Sequence, residues 1–544
     1  MKKWYIIIFI AGALLFTPFL GQVHLFDWDE INFAESAREM LETGDYNTVR
    51  IDFVPFWEKP PLFIWMQAAS MKIFGINEFA ARFPNALCGI LTLLFLFHAG
   101  GRLYGQRFGL LWALSYAGSV LPFFYFQSGI IDPWFNLFIF AGIYFLMRFF
   151  AQETENQNCR KGHRYIILSA ASIGLGIMTK GPVALLVWGL TALIYTICKK
   201  GRIPLKWYHI PEFILVLLLV GGSWFWGQII AGNEQTVYDF ISYQIRLFRT
   251  EDAGHGGFLM YHFVILFFGV FPASVFSLAG YGKNRWESNS QKNFKLMMIL
   301  LLWLVLILFT IVKTKIVHYS SLCYFPLAFL SACALNSRLR NGTNIGKTLH
   351  VAMIIILGLL TLTVATLTNI RHFSDFIVER QLLNDPFALA NLQAEAGWTG
   401  YECLIALIPL SIIFLIVRFY RRKQALHYAV SALAGICLFT LLTTVLVVGR
   451  VEAYSQRAAI EFFESKNSEN CYLLTMYYKS YAQYFYGKTR HSMSEGMNRL
   501  QNGDNSVPVY VSTKNIYKDR ILKEFPQLKI LYEKNGFVFL QLEN

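Results

Sequence analysis

The sequence predicts a polytopic α-helical membrane protein with about 13 transmembrane helices and a small C-terminal α/β domain outside the membrane. Three observations carry this. Hydrophobic residues make up 55% of the 544, and charged residues only 15%, well under the quarter or so of an ordinary soluble domain. Apolar runs long enough to cross a bilayer recur along the chain up to residue 448. Basic residues then gather in every second loop between those runs, as charges held on the cytoplasmic side do.

The runs lie near 4–20, 80–100, 108–126, 133–150, 164–178, 183–199, 211–231, 260–280, 294–313, 317–335, 348–367, 402–418 and 426–448. The basic loops between them hold Lys2 and Lys3, Arg102 and Arg107, Arg160 to Arg164, Lys199 to Lys206, Lys283 to Lys295, Arg338 to Lys347, and Arg418 to Lys423. This alternation puts the N-terminus in the cytoplasm, and an odd count puts the C-terminus outside. The first run follows Met1-Lys2-Lys3 with no small-residue cleavage site, so it reads as an uncleaved anchor.

The formal charge of +14 sits in these short loop clusters, which excludes a nucleic-acid-binding stripe and favours anionic lipid. The eight cysteines show no CxxC pairs, and most fall in apolar runs. Cys403 and Cys471 share the outer side, leaving one bridge open there.

Three outward segments are too long for turns: 21–79, 232–259 and 368–401. Long segments in compact proteins usually carry function or are disordered, and the Trp, Phe and Tyr here favour ordered loops. The membrane part accordingly covers 1–449. From 450 to 544 short strands (471–476, 507–512, 529–533, 537–542) alternate with helical stretches (457–464, 479–486, 515–525), the pattern of a small α/β domain.

Ionisable groups at membrane depth cost about 2.5–3.5 kcal/mol each, so those at span ends need a reason. Asp29 and Glu30 follow the first span, and Asp132 precedes the fourth in Gly129-Ile130-Ile131-Asp132-Pro133. Lys180 follows the fifth, and Lys313, Lys315, His318 and Tyr319 open the tenth. Each acid alone reads as a helix cap. Together, two outward acids can act as a general base and an orienting group. Glu58-Lys59-Pro60-Pro61 is stiffened by its prolines, presenting an acid and a base side by side, as an ion pair or as part of a site. His255, in Gly254-His255-Gly256-Gly257, is a solvated loop histidine or a metal ligand, with His262 as an alternative partner. Arg246 and Arg249 are interfacial anchors or face lipid phosphate.

The segment Phe26-Asp27-Trp28-Asp29-Glu30-Ile31-Asn32-Phe33-Ala34-Glu35 through Arg38-Glu39-Met40 resembles the DE-x-R-Y-A-E…REM segment of the bacterial aminoarabinose transferases, within the GT-C, protein-mannosyltransferase-like glycosyltransferases. The likeness continues through Trp57-Glu58-Lys59-Pro60-Pro61, Asp132, Thr179-Lys180-Gly181-Pro182 and Lys315-Ile316-Val317-His318-Tyr319, to about residue 335. It implies a GT-C fold and an inverting transfer of a sugar from a polyprenyl (undecaprenyl) phosphate carrier to an acceptor at the outer face of the inner membrane. That acceptor would be lipid A, another envelope glycan or a protein. It implies Asp29 and Asp132 as catalytic acids with Glu30 in support. Lys59 and Tyr319 would lie near the donor phosphate, with Lys180 and Arg249 as further cations, and Glu58 and His255 would hold a divalent metal, zinc. Asn32-Phe33 stands where the family has Arg-Tyr, and Val317-His318 where it has Pro-Thr, so the resemblance implies the class of reaction and not the sugar. A transporter or flippase of a lipid-linked substrate is the rival class, and predicts mid-span charges and inverted repeats.

Overall fold

The computed structural model describes residues 2–154, 159–249, 256–282, 284–380 and 383–543. The expected fold class is borne out: a helical bundle carries a four-stranded sheet near its C-terminus. Each of the thirteen apolar runs is helical in whole or in part. Among the described residues, seven helices are long and apolar enough to cross a membrane. An eighth span arises if His209–Gly221 and Ser223–Ile230, bent by 57°, count as one. Others fall short because they are brief or broken: Lys2–Phe16 has 15 residues, and Tyr261–Gly269 is parted from Ala273–Ser277 by Pro272.

The bundle is held together by close approaches and by buried aromatics. Gly89 lies against Phe16 and Phe126, where a Cβ would collide, so three runs converge at one glycine. Helix Asp132–Thr154 packs along helix Cys159–Lys180, where Gly142 meets Ile173 and Ser169 Oγ donates to the Gly142 carbonyl at 2.7 Å. Trp112, Phe140, Phe294, Phe325 and Phe329 form the aromatic centre. Starts and ends follow ordinary capping rules. Asn77 accepts from Ala80 N at the head of helix Glu78–Tyr104, and Ser288 and Gln291 form a reciprocal box before helix Asn289–Ile311. Lys315 closes that helix at its other end by donating to the carbonyls of Phe309, Thr310 and Val312, a structural use of one of the cations opening the tenth run.

Among the described residues, the three segments read as outward contain further helices. The first contains helix Asp29–Thr43, a hairpin of β1 (Arg50–Ile51) and β2 (Val54–Pro55), and helix Leu62–Phe74. The second contains helix Glu234–Arg249, and the third contains helices Ile370–Glu379 and Pro386–Leu392.

The C-terminal sheet has strands β3 (Tyr472–Thr475), β4 (Val509–Lys514), β5 (Leu528–Lys534) and β6 (Phe537–Leu542), in the order β3-β4-β6-β5. Only β3 and β4 run parallel. A helix at Met493–Asn502, absent from the sequence reading, fills the connection from β3 to β4. The expected boundary at 449/450 falls inside a helical run that continues to Glu452. The C-terminal unit also shares a core with the first outward segment. Leu25, Ile31, Ala34, Met40 and Ile64 pack with Ile460, Phe463, Leu473, Phe485 and Phe539. Cys403 and Cys471 are both free thiols, so the bridge left open between them is not formed.

Candidate active site

A cavity of about 580 Å³ lies where segment 21–79 meets the ends of five helical runs. Its lining includes the apolar Val183, Val187, Leu308, Phe309, Val312 and Leu322. It also includes Asp29, Glu58, Lys59, Asp132, Lys180, His318 and Tyr319. An amphipathic ligand, with a hydrocarbon part and an anionic head, matches this mixed lining.

Asp29 is the first residue of its helix; Trp28 occupies the cap position and makes no side-chain cap bond. The capping reading of Asp29 is therefore corrected. Its carboxylate is 42% exposed and lies 3.4 Å from His318 Nε2. Asp132 likewise opens its helix, but is 4% exposed. One of its oxygens accepts from Lys180 Nζ at 2.7 Å, and the other sits 3.9 Å from His318 Nε2 with no hydrogen-bond partner. One imidazole thus stands between the two acids that the sequence singled out, although sequence reasoning assigned His318 no role. Its signal was its place beside Tyr319, at a position where the family pattern has threonine.

Glu58 and Lys59 turn inward together. Lys59 Nζ is 4.0 Å from Glu58 Oε2, which accepts from the Tyr243 hydroxyl at 3.0 Å, and Gln244 donates to the Glu58 carbonyl at 3.4 Å. Helix Glu234–Arg249 thereby buttresses the Pro-Pro turn, and its Tyr243 ring lies 5.3 Å from the Lys59 ammonium. Burial pulls the Lys59 ammonium below its ordinary range, and Lys180 adds to this, while Glu58, Asp29 and Asp132 oppose it. Tyr319 presents its ring to Lys180 at 5.3 Å. Asp132 therefore pairs with one of the cavity lysines, and Glu58 with the other.

Glu30 is a correction. It does not line this cavity. It is buried in a two-fold pair with Arg82 at 2.9 and 3.0 Å, and also accepts from Phe26 N and Gly129 N. Arg82 in turn donates to the carbonyls of Leu20, Val23 and His24. The pair ties the first outward segment to helix Glu78–Tyr104, and its carboxylate has no free oxygen for chemistry. His255 and the side chain of Arg249 lie outside the described residues. His262, weighed as an alternative metal partner, does not line the cavity and shares a 3.0 Å hydrogen bond with Ser320. Glu58 is thus a single described donor, and one carboxylate does not define a metal site.

The C-terminal unit contributes to the cavity mouth, which the sequence did not reveal. Lys479 and Tyr481 line it. They are pinned by Trp28 Nε1 donating to the Lys479 carbonyl at 3.3 Å and by Tyr481 N donating to Asp27 at 3.3 Å.

Residues 58–226 match the dolichyl-phosphate-mannose-protein mannosyltransferase family. The undecaprenyl phosphate-alpha-4-amino-4-deoxy-L-arabinose arabinosyl transferase of Photorhabdus laumondii is 27% identical over 392 residues, 71% of this chain and 66% of that protein. Its counterpart in Pectobacterium carotovorum is 29% identical over 334 residues, 60% of this chain and 58% of that protein. The chain thus spans less than two thirds of the length of these relatives. ArnT from Cupriavidus metallidurans, solved bound to undecaprenyl phosphate, superposes with a TM-score of 0.76 at 17% identity, covering 100% of this chain and 98% of that one. An Archaeoglobus fulgidus oligosaccharyltransferase superposes more loosely, at 0.52 and 10% identity, over 95% of this chain and 70% of that one. The chain thus has an ArnT-like fold, and in sequence it is similar to the aminoarabinose transferases.

Proposed function

We propose that the protein is an inverting glycosyltransferase that moves a sugar from a polyprenyl (undecaprenyl) phosphate carrier to an acceptor at the outer membrane face, with lipid A, another envelope glycan or a protein as acceptor class. The observation that carries this reading is the meeting of Asp29, Asp132, His318, Lys59 and Lys180 in one cavity that apolar side chains also line. The named activity of the curated relatives and the carrier lipid bound to the Cupriavidus protein support it. So does the position of the charges, at helix ends rather than mid-span as a transporter would need.

In this reading the acceptor oxygen attacks the anomeric carbon from the face opposite the carrier. The bond from that carbon to the phosphate oxygen breaks, and its electron pair leaves with the phosphate. Lys59 and Lys180 stabilise the charge that develops there, which is where fixed cations contribute most. A hydroxyl acceptor gives its proton to Asp29, the more accessible acid; an acceptor phosphate is already ionised and needs only positioning. Asp132 holds Lys180 in place, and His318 fixes the Asp29 carboxylate. Tyr319 flanks the phosphate beside Lys180.

The N-terminus is read as cytoplasmic and residues 450–544 as an outward unit, on the strength of the basic-loop alternation. Zinc at Glu58 and His255 remains a proposal of the resemblance alone, and no step of the transfer runs through it. The test is a screen of purified protein with labelled polyprenyl-phosphate sugars and candidate acceptors, following release of the lipid phosphate. Absence of release across donors that support a working relative in the same assay would overturn the reading.

A further inference from the structure

A second cluster of ligand-type side chains lies away from the cavity. One imidazole nitrogen of His24 and one carboxylate oxygen each of Glu78 and Glu464 lie within 4.8 Å of one another. None of the three lines the cavity. They come from three separate parts of the chain. His24 belongs to the first outward segment, Glu78 begins helix Glu78–Tyr104, and Glu464 lies on helix Arg457–Ser465 of the C-terminal unit.

The histidine is set up by a fourth residue outside the cluster. His24 Nδ1 is 3.2 Å from Glu452 Oε1, and the Glu452 side chain is fully buried and fixed by Arg457 at 2.7–2.8 Å. A buried carboxylate on Nδ1 selects the tautomer with its proton there and leaves the Nε2 lone pair for a ligand. This carboxylate–histidine arrangement is the usual second support of a metal-bound imidazole. Tyr486 packs edge-on to the ring at 5.5 Å and limits its rotation. Two carboxylates and one neutral imidazole supply three donors, with a net charge that favours a divalent cation. The N,O set suits zinc or a neighbouring transition metal better than magnesium or calcium.

We propose that His24, Glu78 and Glu464 bind a divalent transition metal, zinc by preference, which clamps the C-terminal unit to the membrane bundle. The site is separate from Glu58 and does not depend on the proposed transfer reaction. The test uses the full-length protein in detergent, stripped with chelator, re-equilibrated with Zn²⁺ alone and analysed for bound metal and melting temperature. Wild type is expected to retain about one zinc per chain at this site. His24→Gln and Glu464→Gln should each weaken its binding by roughly 10-fold or more and abolish the zinc-dependent rise in melting temperature. Glu464 is exposed, so its variant tests the site even if His24→Gln folds poorly. Glu58→Gln serves as a control that should leave this zinc in place. Zinc content and zinc-dependent melting unchanged in both His24→Gln and Glu464→Gln would overturn the proposal.

Discussion

Lys180 and Asp132 stand 48 residues apart, yet their side chains meet at 2.7 Å, because one ends and the other begins a pair of helices packed side by side. The carboxylate is almost wholly buried, so the lysine is its main compensation. Removing one member of a buried pair leaves an uncompensated charge and costs about 3–5 kcal/mol. Lys180→Gln should therefore lower the melting temperature clearly. The double variant Asp132→Asn, Lys180→Gln should regain part of that loss, with a coupling of about 0.5–3 kcal/mol. Transfer activity should stay low in both. Additive losses in the cycle would show that the two residues do not act as a pair.

Asp29 differs from Asp132 in being exposed, and its ion-pair partner is His318. Asp29→Asn keeps the shape and should leave expression and melting close to wild type. Loss of a positioned base typically costs 10²–10⁴-fold in rate, and about that loss of sugar transfer is expected with a hydroxyl acceptor. Full activity of the variant would remove Asp29 from the mechanism.

Lys59 is held between Glu58 and the Tyr243 ring and lines the same cavity as Lys180. Its role toward the donor phosphate makes a directional prediction. Lys59→Ala should raise KM for the polyprenyl-phosphate sugar more than KM for the acceptor, since only the donor brings its phosphate to this lysine. Equal effects on both substrates would argue that Lys59 merely holds the Pro-Pro turn.

Much of this was legible in the residue pattern, and the failures have physical causes. Apolar runs of the right length disclosed the helices because burial in lipid demands them. Run length alone did not show which helices bend, since the break at Gly222 between His209–Gly221 and Ser223–Ile230 depends on packing. Asp29, Asp132, Lys59 and Lys180 drew attention because charge at a span end is costly. The same argument pointed equally at Glu30 and Lys315, whose partners are Arg82 and three helix-end carbonyls. Only three-dimensional pairing separates a satisfied charge from an available one. His318 and Lys479 reach the cavity through tertiary contacts that no local spacing announces.

Glu39 gives a test of the first outward segment that is independent of catalysis. It lies on helix Asp29–Thr43 beside the buried Glu35–Arg38 pair, where Arg38 donates to Glu35 at 2.7 Å. One Glu39 oxygen accepts from Phe53 N at 3.0 Å, and the other has no partner. Burial, and then the neighbouring Glu35 carboxylate, push the Glu39 carboxyl well above its ordinary range. The folded protein therefore keeps a proton that the unfolded chain releases near the usual glutamate value. Over that interval the native state binds more protons than the unfolded one, so stability falls as pH rises. Asp27 and Asp52, each pushed up to about 6 chiefly by burial, add slopes of the same sign at the acidic end. Glu39→Gln mimics the protonated form and removes only the contribution of Glu39. Between about pH 5 and about pH 8, melting temperature should fall in wild type and fall less in Glu39→Gln, with the gap widening toward the alkaline end. Parallel curves would mean that Glu39 is ionised in the folded protein throughout, and that Arg38 compensates both carboxylates.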